Sequence, residues 1–441
     1  MKRDLIRVLC CPACRGDLTL IDRTPDAPDV REGGLECASC ADVFPIVQGV
    51  PRFVATDQYV GSFSYEWNRW STVQLDAANG SAESEVTFAA KTGFSPGDLR
   101  GRVVLDVGCG AGRFLDVASR WGADVVGVDL SFAVDAAHGN LGHRANVSVI
   151  QADVFRLPFR EETFDAIFSI GVLHHSKDTR EAFMNLPPLL KRGGELAVWL
   201  YYYQDRLFNR ASDFWRMVWR PFPPPAVYAW CWLLVSLFSE RWRQNNAPGV
   251  RYGYLRRVLP VSLHPDRRWR LLDTFDWYTP RYQDKDCSPA RVLRWCEEAG
   301  IRDVRVLEPL TAVRGTRAAG GALVRWSIPN LRTSRVLVFG AGAAGSNALR
   351  LLQRIAPSSV TAIADNDPAK EGQTVEGLVV RGFDRIPRDQ YDVVVIASST
   401  GQQSIAAQLD AAGLIVNVHY ITIDQVAIWR DLISDDALLA A

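Results

Sequence analysis

The run Val103-Val104-Leu105-Asp106-Val107-Gly108-Cys109-Gly110-Ala111-Gly112-Arg113-Phe114 limits what this 441-residue chain can fold into more than any other stretch. Four β-forming residues lead into a glycine-rich turn, and an amphipathic stretch from Phe114 to Trp121 reads as a helix. The unit is strand, loop, helix, and its glycines let backbone approach a ligand at the helix N-terminus. An acid, Asp106, stands two residues before Gly108. A carboxylate there repels a pyrophosphate, so a dinucleotide fits poorly. A ligand carrying an ammonium and a sulfonium is attracted.

Further segments follow in the order such a ligand needs. Val125-Val126-Gly127-Val128-Asp129 reads as a second strand ending in an acid, 17 residues after Gly112. An acid there is placed to accept both ribose hydroxyls. Val147 to Ile150 read as a third strand, and the Asp153 that follows is placed to hydrogen-bond an adenine amino group. Phe164 to Gly171 read as a fourth, opening into Val172-Leu173-His174-His175, and Glu195 to Leu200 as a fifth. These ordered motifs resemble the class I S-adenosylmethionine-dependent methyltransferases, of the methyltransferase type 11 kind, from about Tyr59 to Ile328.

The resemblance implies an α/β fold, with a Rossmann-like seven-stranded sheet and adenosylmethionine lying across the carboxyl ends of its first strands. It implies cofactor contacts from Asp106, Gly108, Cys109, Gly110, Gly112, Asp129, Leu130, Asp153, Val154, Ser169 and Gly171. Cys109 is expected to contribute backbone, because small side chains suit that turn. His174 and His175 fall beside the expected acceptor site and are candidate bases, since histidine removes protons near neutral pH. The aromatic stretch Phe63 to Trp70 reads either as a helix packed on the sheet or as a lid that brings Tyr65 and Trp67 to the cofactor.

At the front of the chain, Cys11-Pro12-Ala13-Cys14 and Cys37-Ala38-Ser39-Cys40 form two CxxC knuckles separated by 22 residues. Tetrahedral zinc takes four thiolates, and each knuckle points two sulfurs at one ion. So short a segment has little core of its own, and a metal staple makes physical sense. The expectation is a zinc ribbon over residues 1–55 with a closed, structural site, Cys10 being a spectator. The run resembles the zinc ribbons at the front of some methyltransferases and in tRNA-methyltransferase activator subunits.

The catalytic unit is expected over residues 56–330, with an Arg/aromatic-rich helical insertion at 201–270 that holds twelve arginines against four acids. Local positive charge suggests an anionic substrate or surface. Ala226 to Phe238 reads as a buried helix or as an interfacial one that meets a lipid carrier. In similar methyltransferases an aromatic-proline segment like Phe275 to Tyr282 lines the acceptor pocket, which makes Trp277, Tyr278, Arg281 and Tyr282 substrate candidates. A helix from Pro289 to Ala299 and strands near Val304 and Leu323 are expected to close the unit.

A third unit, 332–430, begins with the strand Val336 to Phe339 and the turn Gly340-Ala341-Gly342-Ala343-Ala344-Gly345. Asp365 ends a second strand 20 residues beyond Gly345, where a ribose-binding acid sits in a nucleotide fold. The stretch Asp365 to Gly372 and the later Glu376-Gly377 resemble the small Rossmann-like domains of bacterial polysaccharide and nucleotide-sugar enzymes. Such a domain binds NAD(P), binds a nucleotide sugar, or only packs. Gly340, Gly342, Gly345 and Asp365 form the candidate second nucleotide site.

Lysines plus arginines equal acids, 50 against 50, so no global field favours nucleic acid or membrane. The start, Met1 to Cys10, has no apolar core of about 7–15 residues, so no secretory signal is expected and the chain reads as cytoplasmic. Taken together, these observations favour methyl transfer to a sugar, nucleotide sugar or lipid-linked glycan intermediate, with nucleic acid not expected as a partner. An RNA methyltransferase and a non-catalytic adenosylmethionine-binding protein are the alternatives.

Overall fold

In the computed structural model the described residues are 1–441 without 23–28, 58, 203–205, 239–257, 308–311, 319–330, 332–333, 357–358, 399–400, 415–418 and 424–441. The expected strand near Leu323 and much of the arginine-rich part of the insertion lie outside the described residues.

The N-terminal segment is a four-stranded antiparallel sheet in the order β1-β2-β3-β4, of Leu18–Asp22, Gly33–Cys37, Val43–Val47 and Val50–Pro51. Both knuckles close alike. Arg15 N–H donates to the Cys11 carbonyl at 2.9 Å and Ala41 N–H to that of Cys37 at 3.0 Å, and Arg15 and Ala41 both take a left-handed conformation. A Cβ on Gly16 would stand 2.5 Å from Ser39 Oγ, so only glycine lets the knuckles meet.

The large sheet has seven strands in the order β10-β11-β9-β8-β5-β6-β7. They are β5 (Val103–Val107), β6 (Asp124–Asp129), β7 (Val147–Gln151), β8 (Phe164–Ile170), β9 (Leu190–Trp199), β10 (Ile301–Leu307) and β11 (Ala312–Arg317). β5 to β9 pair in parallel, and β11 runs antiparallel to β9. The central parallel strands are apolar and buried on both faces, as a helix-covered parallel sheet demands. Phe88, Leu115, Val117 and Phe168 lie in the core beneath it, each fully buried. β5 lies between β6 and β8, so the chain reverses direction across the sheet there, and crevices open at the carboxyl ends of such strands.

The ribbon joins this sheet at its β7 edge. Arg52 bridges Gln151 in parallel register, and Phe53 N–H donates to the Gln151 carbonyl at 2.8 Å. Arg52 Nη1 reaches Gln151 Oε1 at 3.1 Å, and its other nitrogen pairs with Asp135. An otherwise open row of backbone groups is thereby covered.

The insertion supplies helices Arg206–Trp219 and Pro224–Leu237, followed by Arg267–Tyr278. Val227, Cys231 and Leu234 pack against Leu271, Leu272 and Phe275. Pro224–Leu237 is thus buried on one face, while Trp232, Leu233 and Leu237 are exposed on the other. Among the described residues no helix is long and apolar enough to cross a membrane.

The C-terminal unit is a six-stranded sheet in the order β14-β15-β13-β12-β16-β17. Its strands are β12 (Val336–Phe339), β13 (Val360–Ala364), β14 (Thr374–Val375), β15 (Leu378–Arg381), β16 (Val393–Ile396) and β17 (Tyr420–Thr422). All pair in parallel except β14.

Candidate active site

A cavity of about 480 Å³ opens at the carboxyl ends of β5, β6 and β8. That is within the usual range of small-molecule sites, about 300–1,000 Å³. Gly108, Cys109 and Gly110 form one wall, Asp129 and Leu130 a second, Asp153 and Val154 a third, and Gly171 and His175 a fourth. Residues from four separated stretches of sequence therefore converge, as the motif order requires.

The glycine loop is held by sterics on both sides. Gly108 has φ 82°, and a Cβ there would fall 2.3 Å from Val172 Cγ1. Its N–H donates to the Val128 carbonyl at 2.7 Å. Gly110 has φ 50° and lies against Trp67, whose ring a Cβ would meet at 3.4 Å.

Asp129 accepts the Gly110 N–H at 2.9 Å on one oxygen and the Ser131 N–H and hydroxyl at 2.8 and 2.6 Å on the other. Burial raises its pKa, against those hydrogen bonds. Asp153 caps a short turn by accepting the Phe155 N–H at 3.1 Å. Asp106 is only 2% exposed, sits beneath the loop and does not line the cavity. Burial, then the neighbouring Asp129, pushes its carboxyl well above the ordinary carboxylate range. Gly112 begins the helix Arg113–Arg120, away from the cavity wall. Ser169 is a stitch between strands, its hydroxyl donating to the Val107 carbonyl at 2.9 Å.

The two histidines part company. His174 is fully buried, its Nδ1 accepting the Tyr201 N–H at 3.4 Å, its ring packed on that tyrosine at 3.8 Å and its Nε2 without a partner among the described residues. Burial holds it well below the ordinary histidine value. His175 lines the cavity, and its Nδ1 lies 3.1 Å from the Tyr282 carbonyl. A carbonyl only accepts, so Nδ1 carries the proton and Nε2 is left as an acceptor. Burial pulls its pKa down to about 4, leaving the ring neutral at physiological pH.

Of the other candidates, Trp67 and Trp277 line the cavity, while Tyr65 packs on Phe275 with ring centroids 5.7 Å apart. Tyr278 is a core residue, 1% exposed, and Arg281 is exposed away from the wall. Tyr282 contributes through its carbonyl.

The sequence reading missed several wall residues: Glu66, Lys91, Arg113, Tyr201, His264, Trp269, Asp273 and Asp276. Glu66 is fully buried with both carboxylate oxygens unpartnered among the described residues, and burial raises its pKa far above the carboxylate range. Burial likewise lifts Asp273 to about 6 and Asp276 to about 7. Burial lowers Lys91 to about 7, its Nζ standing over the Trp199 indole. Buried, opposed titratable groups of this kind gather at functional sites. The signal was an acid inside an aromatic helical stretch, twice: Glu66 between Tyr65 and Trp67, and Asp276 beside Trp277.

In the ribbon, the Sγ atoms of Cys11, Cys14, Cys37 and Cys40 all lie within 4.8 Å of one another, with Cys11–Cys40 at 3.6 Å and Cys14–Cys37 at 3.4 Å. Four thiolates about 2.3 Å from a tetrahedral ion stand about 3.8 Å apart, so the set fits a metal. The Cys40 and Ser39 backbone amides lower the Cys37 thiol, while the neighbouring thiols raise Cys40, so the four share their protons as a cluster. Cys10 is buried outside the cluster.

In the C-terminal unit the glycines answer to packing. A Cβ on Gly345 would fall 1.8 Å from the Gly340 carbonyl oxygen, and one on Gly340 2.5 Å from that of Ala397, while Gly342 faces open space. Asp365 already accepts the Ala341 N–H at 2.6 Å and pairs with Lys370 at 2.9 Å. The ribose role expected of it competes with both.

Sheet, loop and cavity define an α/β class I methyltransferase fold preceded by a cysteine-cluster domain. Residues 105–198 match the family model described as Methyltransferase domain, and residues 2–49 match Trm112p-like protein. Residues 332–417 match C2185-like, N-terminal, a description that names no nucleotide-sugar or polysaccharide activity.

The chain is 38% identical over 106 residues to a tRNA U34 carboxymethyltransferase of Marinobacter nauticus, covering 23% of this chain and 32% of that protein. It is 37% identical over 115 residues to the probable tRNA methyltransferase 9B of Homo sapiens, covering 25% and 24%. Phosphoethanolamine N-methyltransferase 2 of Caenorhabditis elegans is 32% identical over 112 residues, covering 24% and 25%. The chain thus spans about a third or less of the length of the relatives it matches.

These findings correct the sequence reading. The expected sugar, nucleotide-sugar or glycan acceptor gives way to the tRNA named by two relatives and to the Trm112p-like match of the ribbon. The expectation that nucleic acid is no partner falls with it. A net charge of zero is a sum over the whole chain, and a sum does not exclude a local binding surface.

Proposed function

We propose that this chain is an adenosylmethionine-dependent tRNA methyltransferase whose activator-like zinc ribbon is part of the same polypeptide. The observation that carries the reading is the docking of the Trm112p-like segment onto the β7 edge of the methyltransferase sheet through Arg52, Phe53 and Gln151. Cys11, Cys14, Cys37 and Cys40 hold a structural zinc in it.

When bound, adenosylmethionine supplies a methyl group already activated by its sulfonium. The protein must align donor and acceptor, and such positioning is worth roughly 7–11 kcal/mol of a barrier. The Gly108–Gly110 backbone and Asp129 hold the donor's sugar and amino-acid ends, and Asp153 its base. His175, neutral and with Nε2 free to accept, takes the acceptor's proton if it has one to lose. Trp199, Tyr201 and Trp277 shut out water.

The reading is tested by incubating the purified protein with labelled adenosylmethionine and tRNA lacking modifications. Label in the tRNA, with binding that weakens steeply as salt rises, is expected. Donor binding without label in any tRNA overturns the acceptor, and absence of donor binding overturns the enzyme.

A further inference from the structure

Beyond the glycine loop, the cavity has a wall that the donor's chemistry does not explain. Glu66 on the helix Gly61–Arg69 is fully buried in the cavity wall, and neither of its carboxylate oxygens has a partner among the described residues. Asp273 and Asp276, on the helix Arg267–Tyr278, line the same wall. The charges acting on Glu66 are those two carboxyls, both of like sign. Asp273 is tied to the Ser262 hydroxyl at 2.8 Å, and Arg113 lies close enough to moderate it. Two further tryptophans, Trp67 and Trp277, line the same cavity, while Trp269 is stacked on His264 with ring centroids 4.3 Å apart. Leaving a buried carboxyl unbonded is costly, so what fills this wall must bring hydrogen-bond donors.

We propose that Glu66, with Asp273 and Asp276, forms the acceptor subsite, and that it takes a nucleobase carrying an amino group, turned out of the RNA and stacked between the tryptophans. The proposal rests on the tRNA reading above and narrows its substrate class. Carboxylates recognise exocyclic amino groups of bases directly, and enzymes acting on a base hold it extruded between aromatic walls. Glu66 accepts from the amino group, and Asp276 supplies a second acceptor beside it. A base without such a donor leaves Glu66 unsatisfied.

The experiment uses the full chain, total tRNA and labelled adenosylmethionine, followed by hydrolysis to nucleosides. The methylated nucleoside is expected to bear an amino group. Glu66→Gln should raise KM for tRNA about tenfold, the loss of one hydrogen bond, with adenosylmethionine affinity by calorimetry unchanged within about twofold. Asp276→Asn, checked by its thermal melt, gives the same pattern if Glu66→Gln does not fold. Label on uridine overturns the subsite while the tRNA reading stands. A loss of adenosylmethionine affinity in Glu66→Gln also overturns it, since Glu66 then belongs to the donor's ammonium. Transfer to a free amino-bearing nucleoside, with none to tRNA, supports the subsite and overturns the RNA reading, and transfer to ethanolamine overturns both.

Discussion

Asp129 and Gly110 are joined by a 2.9 Å hydrogen bond from the loop N–H to the carboxylate, so the acid that ends β6 also sets the shape of the glycine turn after β5. Removing it loosens the loop and deletes an acceptor for the donor's ribose. Asp129→Ala is expected to weaken adenosylmethionine binding by about 10–100-fold in calorimetry. Unchanged affinity would take Asp129 out of the site.

A methyl group on Gly108 would collide with Val172 at 2.3 Å, at a φ of 82° that alanine adopts poorly. Gly108→Ala should therefore abolish measurable donor binding, while the fold, read by circular dichroism, persists. Full binding by that variant would mean that the loop moves on ligation.

Burial keeps His174 well below, and His175 at about 4 against, an unfolded value near 6.5. Between those values the unfolded chain binds protons that the folded chain refuses. These groups therefore cost stability as pH falls below about 6.5 and have no effect above it. The raised pKa values of Glu66, Asp273 and Asp276 act in the opposite sense, so the test compares variants. His174→Phe should lose about 1 kcal/mol less than the parent per pH unit between pH 6 and 5, in urea melts. Parallel pH dependences would contradict it.

Chelation should strip one ion per chain from the cysteine cluster and unfold the ribbon, seen as a separate low-temperature transition. Cys37→Ser is expected to do the same without chelator. A single unshifted melt in both would remove the metal from the account.

Arg52 is 9% exposed and bonds Gln151 and Asp135 at once. Arg52→Ala should destabilise the docked ribbon by about 1–3 kcal/mol, measurable by hydrogen exchange in β4 and β7. Unaltered exchange at those strands would show that apolar packing alone holds the edge.

Much of the fold was legible because its signals are local. The β5 run, the glycine turn and the two CxxC knuckles each declare themselves within a dozen residues. β9 was expected from Glu195 and begins at Leu190, because the strand continues through Gly193, at φ 76°, where glycine reads as a break. The aromatic segment from Phe275 was expected as a pocket lining; its first four residues close a helix, from which Trp277 reaches the cavity while Tyr278 is buried in the core. Tyr65 and Trp67 show the limit within a helix: two positions apart they point about 200° apart, and only packing decides which meets the cavity. The acidic wall was hidden because Glu66 and Asp276 are some 210 residues apart, and no spacing rule joins them. The acceptor was misjudged for a different reason. The resemblance carried by Asp365 to Gly372 and the arginine-rich insertion together invited a sugar acceptor, and neither is a motif tied to one acceptor.

The strand-to-strand seam at Arg52 and Gln151 joins two parts of one covalent chain. A ribbon supplied as a separate subunit would be lost on dilution and shared among competing enzymes. Here its stoichiometry is fixed at synthesis, and its effective concentration at the sheet edge does not depend on how much protein the cell makes.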